Sequence, residues 1–320
     1  MGTIRNLLKC LCFIAWLGCA VDSELQTPLG SDDPNALKDA QPGGSPYTML
    51  IEVPYHNGGQ KGAYFMPVKG TGIRIGPCTV LSAAHLMMSQ PDYYNHSRFL
   101  KPDWLLNWQD VRAYPIAQDG TPEMPRRAKN ETVAVHPSML NRDEVSIENS
   151  QPIVEPGNWP PVDSTFDIVV FQVNGLPSPQ SQYRLPTLSG SLAAANTLLS
   201  VDGNSFSTGG TYQTRLSRSV SIKGMSRSEP KPSFYTEPVM EAGNSGGPLY
   251  RRIYGNGFDT TELFGILSGQ RAVFTPLLGT TTVFSRVDGE ALYDGVSVKA
   301  WIEAHKAQHE TDPACYSFGT

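Results

Sequence analysis

The chain has 320 residues, of which 39% are hydrophobic and 17% are charged, and its formal net charge is −5. This length and apolar content suit one large or two small globular domains. The charge carries no long block of one sign, which argues against nucleic acid as a main partner, since such binding depends on many Lys and Arg contacts to phosphate. The 30 Gly and 26 Pro lie between short apolar runs, a pattern that favours many turns and strands over long helices.

Residues 1–20 have the pattern of a secretory signal, because a basic start precedes an apolar run over 11–17 that is too short to span a bilayer. Two endings stay open. Gly18-Cys19-Ala20 offers the small residues that a signal peptidase needs, with Val21 as the mature start. Alternatively, Leu17-Gly18-Cys19 resembles a bacterial lipoprotein box, with the lipid on Cys19. Both predict a secreted or cell-envelope protein, and the second predicts membrane attachment through Cys19 alone.

The next segment, 21–45, is polar and turn-rich, and it predicts a flexible lead-in or pro-region. Short strand-like runs then form two sets, at about 46–174 and about 186–290, on either side of a proline-rich break at 175–186. The clearest runs are YTMLIEV (47–53), TGIRI (71–75), TVLSAA (79–84), FDIVVFQV (166–173), NTLLSV (196–201), SRSVSIKG (217–224), PLYRRI (248–253), ELFGILSG (262–269) and TTVFSRV (281–287). Long surface loops are expected at 92–110 and 140–164.

The last regular segment, 296–308, has apolar residues at Val298, Trp301 and Ile302, a helical spacing with one apolar face. Residues 307–320 are a short tail. The order of elements therefore predicts an all-β domain over 46–306, with two halves whose strands close into barrels and a C-terminal helix.

Outside the signal, Cys78 and Cys315 are the two cysteines of the chain. In an oxidising compartment they can pair as a disulfide. The alternative is two unrelated small residues, buried or terminal, and the sequence leaves both open.

Three stretches carry residues suited to nucleophilic catalysis: VLSAAHLM with His85, FDIVVFQV with Asp167, and GNSGGPL with Ser245. A serine hydroxyl needs a base to remove its proton, and imidazole titrates near neutrality. A buried carboxylate fixes the imidazole tautomer and stabilises the imidazolium. The glycines around Ser245 allow the backbone N–H groups of Gly243 and Ser245 to converge on an oxyanion. Taken singly, each stretch is as well explained by a packed histidine, a capping aspartate or a glycine-rich turn.

With these motifs in this order, the chain resembles the trypsin-like (chymotrypsin-fold) serine endopeptidases over roughly residues 44–305. SAAH at 82–85, DIVVFQV at 167–173 and GNSGGPL at 243–249 match the histidine, aspartate and serine motifs of that family. The resemblance implies two six-stranded antiparallel β-barrels with the site in the cleft between them. It also implies His85 as general base, Asp167 as its orienting partner and Ser245 as the acylated nucleophile.

Two departures from the family pattern point to a divergent, bacterial-type member. Asn244 stands where animal digestive members have an aspartate that receives a newly cut N-terminus, and an amide cannot form that ion pair. Leu86 follows the histidine, so the family disulfide beside it is missing.

The resemblance also identifies candidate substrate-binding positions. Val239 stands where members selective for Arg or Lys carry an aspartate, and the wall of the pocket reads Ser268-Gly269-Gln270. Gln270 would narrow the pocket's mouth and Thr282 its depth, which predicts a small or medium uncharged residue before the cut bond. Ser268 is expected to lie near Asp167.

The expected partners are protein or peptide substrates, and no cofactor is expected. No histidine has metal-ligand spacing with a second ligand, so no metal is predicted. His136, which precedes Pro137, is assigned to a turn. The alternative from another class is a catalytically silent trypsin fold that serves only in binding.

Overall fold

In the computed structural model, the fold is described for a defined set of ranges. These are residues 41–57, 67–87, 104–106, 110–136, 145–148, 151–154, 167–179, 181–207, 210–226, 233–237, 243–255, 257–272, 280–293 and 295–318. The predicted signal, Val239 and most of the two long loops expected at 92–110 and 140–164 lie outside them. None of the helices in the described part has the length and apolarity that crossing a membrane requires.

Strands dominate the described ranges, as the sequence predicts. In the first half they are β1 Gln41–Pro42, β2 Thr48–Val53, β3 Tyr55–Asn57, β4 Val68–Arg74, β5 Thr79–Ser82, β6 Trp104–Leu106, β7 Arg112–Tyr114, β8 Arg126–Arg127, β9 Ala134–Val135, β10 Val145–Glu148, β11 Gln151–Val154 and β12 Val169–Gln172. In the second half they are β13 Tyr183–Leu188, β14 Leu198–Phe206, β15 Tyr212–Ser226, β16 Ser233–Thr236, β17 Pro248–Gly255, β18 Phe258–Ala272, β19 Thr280–Arg286, β20 Leu292–Tyr293 and β21 Val296–Ser297. One α-helix, α1, spans Val298–His309.

The first half forms a curled antiparallel sheet with the order β8-β7-β2-β4-β5-β12-β9. Its two ends belong to one segment of chain, 126–135, because β8 pairs with β7 and β9 pairs with β12. A bridge between Ala128 and Val173 joins this segment to β12 again. Counted as one interrupted strand, the segment completes a six-stranded barrel.

The second half closes on itself. Strands β14, β15, β16, β19, β18 and β17 pair antiparallel in a ring that returns from β17 to β14. β1 adds to the edge of β15, and β13 adds parallel to β18. The all-β class, with two sheets and a C-terminal helix, is therefore confirmed.

Alternating residues fill the barrels and the seam between them. On β12, Val169 and Phe171 lie in the core of the first barrel. Ile168 and Val170 face the other way, into a cluster shared with Ile302 of the helix. Because both faces of this strand are buried, its sequence is a continuous apolar run rather than an alternating one. A third cluster fills the second barrel.

The helix begins two residues later than its pattern predicts. Residues 296 and 297 form β21, and the Ser297 hydroxyl then caps α1 by accepting a hydrogen bond from Ala300 N. The chain after the helix turns back towards β5, where Cys315 and Cys78 form a disulfide with their Cα atoms 5.0 Å apart. The last residues of the predicted lead-in are also ordered against the second barrel, since Gln41 pairs with Ser217 and Ser45 is fully buried.

Candidate active site

His85 lies in a short 3-10 turn, Ala84–Met87, that follows β5. Its side chain is buried, with 7% of the residue exposed. Ring atom Nδ1 is 2.5 Å from Oδ2 of Asp167, and the backbone N–H of His85 donates to Oδ1 of the same carboxylate at 2.8 Å. Two bonds from one residue therefore fix both the position and the orientation of the imidazole.

Asp167 reaches this position because it stands two residues before β12, and β12 pairs with β5 in a register that places Val169 opposite Ser82. The carboxylate is fully buried and also accepts a hydrogen bond from Ser268 Oγ at 2.7 Å. Burial alone would raise the pKa of Asp167, but the facing His85 ring and the three hydrogen bonds outweigh it and hold the pKa below its usual value. The group is therefore an anion at neutral pH.

The ionised carboxylate defines the tautomer of His85. An anionic oxygen can only accept, so the Nδ1 atom that faces it carries the proton. The lone pair of the neutral ring is then on Nε2, on the opposite edge. A histidine in this state can take a proton at Nε2 while the resulting imidazolium is stabilised by Asp167.

The loop that carries Ser245 is pressed against the first barrel. Gly243 and Gly246 have φ angles of 91° and 84°, the left-handed region that glycine adopts without strain. A Cβ at residue 246 would lie 2.0 Å from Thr71 O and 2.3 Å from Ser82 Oγ, so only glycine fits. The loop therefore touches strand β5 three residues before His85.

Strand β18 connects this loop to the carboxylate. Gly246 N donates to Leu267 O, and Leu267 N donates to Gly247 O, each at 2.8 Å. The next residue, Ser268, binds Asp167. One strand thus holds the serine loop and the histidine's acidic partner in a fixed relation, although 78 residues separate them in sequence.

The other predicted positions are distributed as follows. A Cβ at residue 243 would lie 2.0 Å from the Phe206 ring, so this position also requires glycine. Gly269 and Gln270 lie on β18, where Gln270 pairs with the fully buried Thr282 of β19. The oxyanion-hole role of Gly243 and Ser245 N–H, and the pocket roles, remain predictions.

Sequence reasoning missed Ser285, whose hydroxyl accepts a hydrogen bond from Asp167 N at 3.2 Å. A single serine inside a strand carries no signal that distinguishes it from other strand residues. Within the described ranges, no group of three or more His, Cys, Asp or Glu side chains is arranged to hold a metal ion.

Comparison with known proteins gives distant likenesses among solved structures alone. No family model matches the chain, and no curated protein matches it. Among solved structures, the chain is similar to Rv3671c from M. tuberculosis H37Rv, solved as a serine-to-alanine mutant in an inactive form. The two are 17% identical, with a TM-score of 0.42, over 82% of this chain and 88% of that one. A likeness this distant carries no functional inference.

Proposed function

We propose that the protein is a serine endopeptidase that cleaves peptide bonds through His85, Asp167 and Ser245. The observation that carries the proposal is the buried pair of His85 and Asp167 beside a glycine-framed loop bearing Ser245. Two hydrogen bonds join His85 to Asp167, and Ser268 and Ser285 of the second barrel each add one hydrogen bond to Asp167. Such an arrangement is the one that activates a serine hydroxyl, which is otherwise a weak nucleophile.

The chemistry proceeds in two halves. Nε2 of His85 takes the hydroxyl proton as Ser245 Oγ bonds to the substrate carbonyl carbon, and the carbonyl electron pair moves to its oxygen. The imidazolium then returns that proton to the amine nitrogen as the carbon–nitrogen bond breaks. Water, deprotonated by His85 in the same way, attacks the resulting ester and releases the acid. The backbone N–H groups of Gly243 and Ser245 are assigned to the oxyanion, where losing one donor typically costs about 3 kcal/mol of transition-state stabilisation.

Labelling with a fluorophosphonate probe tests the assignment. The wild-type protein should be labelled at Ser245, and Ser245→Ala should lose both labelling and peptide hydrolysis while it keeps its thermal unfolding profile. Ser189→Ala is the matched control, since Ser189 is also fully buried and hydrogen-bonded in the second half, to Glu262. Labelling that persists in Ser245→Ala would mean a different nucleophile. A folded wild-type protein with neither labelling nor hydrolysis would favour the silent binding fold.

The proposed substrates carry a small or medium uncharged residue before the cut bond. Support comes from Gln270 and Thr282, which stand opposite each other on neighbouring strands of the second barrel. No charged group among the three wall residues offers a partner for a basic side chain. Cleavage of a peptide library should show this preference, and a strong preference for Arg or Lys would reject it.

The proposed site of action is outside the cytoplasm. The disulfide between Cys78 and Cys315 supports this, because such bonds persist in oxidising compartments. Cell fractionation with a tag at residue 320 would test export. Retention in the membrane fraction that Cys19→Ala abolishes would separate lipid attachment from free secretion.

A further inference from the structure

Thr71, in the middle of β4, makes two hydrogen bonds to the loop that carries Ser245. Its backbone N–H donates to Ser245 O at 2.7 Å, and its hydroxyl donates to Gly243 O at 2.8 Å. Thr71 itself is fully buried. Thr71, a single residue of the first barrel, therefore orients the carbonyl groups of Gly243 and Ser245, the residues before and after Asn244. The peptide planes that contain these two carbonyl groups are fixed with them.

The hydroxyl of Thr71 has no freedom to point elsewhere. It accepts hydrogen bonds from Asn204 N at 3.1 Å and from Asn204 Nδ2 at 3.0 Å. A hydroxyl has one proton and two acceptor lone pairs, and both lone pairs face donors that cannot become acceptors. Its proton is consequently directed at Gly243 O, so the bond that orients this carbonyl is locked.

Asn204, on β14, completes the attachment from the second barrel. Its backbone oxygen accepts a hydrogen bond from Asn244 Nδ2 at 3.0 Å, and its own amide donates to Met49 O at 3.0 Å. Each of the three residues from Gly243 to Ser245 is thereby held by Thr71 or Asn204. The network spans both barrels and is buried throughout.

Thr71 is also hydrogen-bonded to the strand that leads to His85. Thr71 O accepts a hydrogen bond from Ser82 Oγ at 2.6 Å, and Ser82 pairs with Gly72 in the adjoining register position. Ser82 stands three residues before His85. Thr71 thus contacts the serine loop on one side and the strand leading to the base on the other.

We propose that Thr71, with Asn204 as its partner, is a positioning residue that fixes the serine loop relative to His85. The inference rests on the proposed function, because it assigns to Thr71 the spacing between the nucleophile and its base. It acts through Gly243 and Ser245 and does not touch the reacting atoms. Misplacing a reacting group by about 1 Å can cost about 100-fold in rate, so loosening this attachment should affect turnover more than binding.

Three variants separate positioning from general stability. Thr71→Val keeps the shape and removes the hydroxyl, and Thr71→Ser restores the hydroxyl. Thr79→Val is the matched control, since Thr79 is also fully buried in the first barrel and its hydroxyl bonds His309 at 3.2 Å, at the C-terminal helix. We expect Thr71→Val to lower kcat by about 30- to 100-fold with little change in KM, and Thr71→Ser to recover most of it. Thr79→Val should lose thermal stability but keep its kcat.

A structural readout makes the inference testable without activity. Amide hydrogen exchange at residues 243–247 should accelerate in Thr71→Val and in Asn204→Ala. The second variant leaves Thr71 in place but removes Nδ2, one of the two donors that orient its hydroxyl. Exchange should stay unchanged in Thr79→Val. Asn204→Ala also serves if Thr71→Val does not fold.

Two kinetic results would overturn the inference: a Thr71→Val enzyme with wild-type kcat, or equal losses of kcat in Thr71→Val and Thr79→Val. Unaltered exchange at the loop in both Thr71→Val and Asn204→Ala would do so as well. If the wild-type protein is inactive towards peptides and probe, the proposed function fails. Exchange data then still show whether Thr71 orders the loop.

Discussion

At the scale of single residues, Asp167 gives the sharpest test of the proposed mechanism, because Asp167→Asn replaces one carboxylate oxygen by an NH2 group and changes little else. All partners of the carboxylate among the described residues are donors: His85 through two N–H groups and Ser268 through its hydroxyl. In Asp167→Asn, the new NH2 group would face one of these donors. If it faces Nδ1 of His85, Nδ1 must accept its hydrogen bond, and the proton of the neutral ring then lies on Nε2. We expect kcat to fall by about 10³- to 10⁴-fold with a nearly unchanged KM.

Steady-state kinetics with a chromogenic peptide would measure this loss, and far-UV circular dichroism would verify the fold. Ser268→Ala is a useful companion, because it removes one of the three hydrogen bonds and leaves the ion. Its loss should be much smaller, about tenfold. An Asp167→Asn protein that is folded and retains more than a tenth of wild-type kcat would contradict the role given to this carboxylate.

Asp202 is a second fully buried carboxylate, and its pKa is shifted in the opposite direction to that of Asp167. Burial raises its pKa, against hydrogen bonds from Thr48, Ser45 N, Tyr250 and Ser217. A raised folded-state pKa means that the contribution to stability is complete below the unfolded pKa and is lost as pH rises through the folded pKa.

Asp202→Asn should be tolerated, because the amide is a neutral group of the same shape that can keep the hydrogen bonds of the carboxyl. The amide oxygen can keep the hydrogen bonds from Ser45 N and Thr48, while the NH2 group faces the hydroxyls of Tyr250 and Ser217, which can rotate to accept. We expect the variant to gain in free energy of unfolding relative to the wild type as pH rises through the pKa of the buried carboxyl, because the wild type must then ionise it away from water. Urea unfolding of both proteins across a pH series measures the difference, and a constant difference at every pH would contradict the raised pKa. Asp202→Leu, which leaves the donors unsatisfied, should be far less stable.

At the scale of elements, the C-terminal segment is held to the first barrel by one covalent bond. The disulfide between Cys78 and Cys315 closes a loop of 237 residues, and α1 packs nearby with Ile302 in the shared cluster. Cross-linking restricts the unfolded chain, so removing the bond should lower the free energy of unfolding by about 2–5 kcal/mol. Chemical denaturation of a Cys78→Ser, Cys315→Ser protein would measure the change.

Reductant provides the control for this experiment. Dithiothreitol should lower the denaturation midpoint of the wild-type protein and leave that of the double variant unchanged. Equal midpoints for the oxidised wild type and the double variant would contradict a stabilising role for the bond.

The sequence predicted those strands and helices whose residues carry a clear local pattern of apolar side chains. The apolar run around Val169 indicated a strand, and the spacing of Trp301 and Ile302 indicated a helix; both form. The predicted start of that helix was two residues early, because residues 296 and 297 pair with the adjacent β20 in a tight hairpin, which the apolar spacing of the helix does not register. Likewise, the polar segment ending at 45 gave no sign that Gln41 pairs with Ser217.

For the whole molecule, motif order predicted the two all-β halves and the joining of His85 with Asp167. The attachment of the serine loop through Thr71 and Asn204 could not be predicted, because single polar residues inside strands have no periodicity that marks their partners. His136 shows the same limit. The sequence predicted a turn at this residue, which no observation tests, and gave no sign that the side chain is buried with its ring against Tyr293 and Trp301.

Two buried histidines, His136 and His309, are expected to make the stability of the whole fold decrease at acid pH. Burial lowers the pKa of His136 from 6.5 to about 4, and burial, with His305 nearby, lowers that of His309 to about 4. The neutral ring is favoured in the folded state, so the stability these residues contribute is complete above about pH 6.5 and is lost as pH falls towards 4. Asp312, whose hydrogen bonds lower its pKa to about 2, acts in the same direction but only below its ordinary value of 3.8.

We therefore expect the free energy of unfolding to decrease between pH 6.5 and pH 4, by about 2 kcal/mol or more for the two histidines together. Urea unfolding across this range measures the slope. A His136→Gln, His309→Gln protein should be less stable at pH 7 but should have a much flatter profile, because glutamine takes up no proton. If the double variant retains the full decrease, the acid sensitivity resides in other groups, and the assignment to these two rings is wrong.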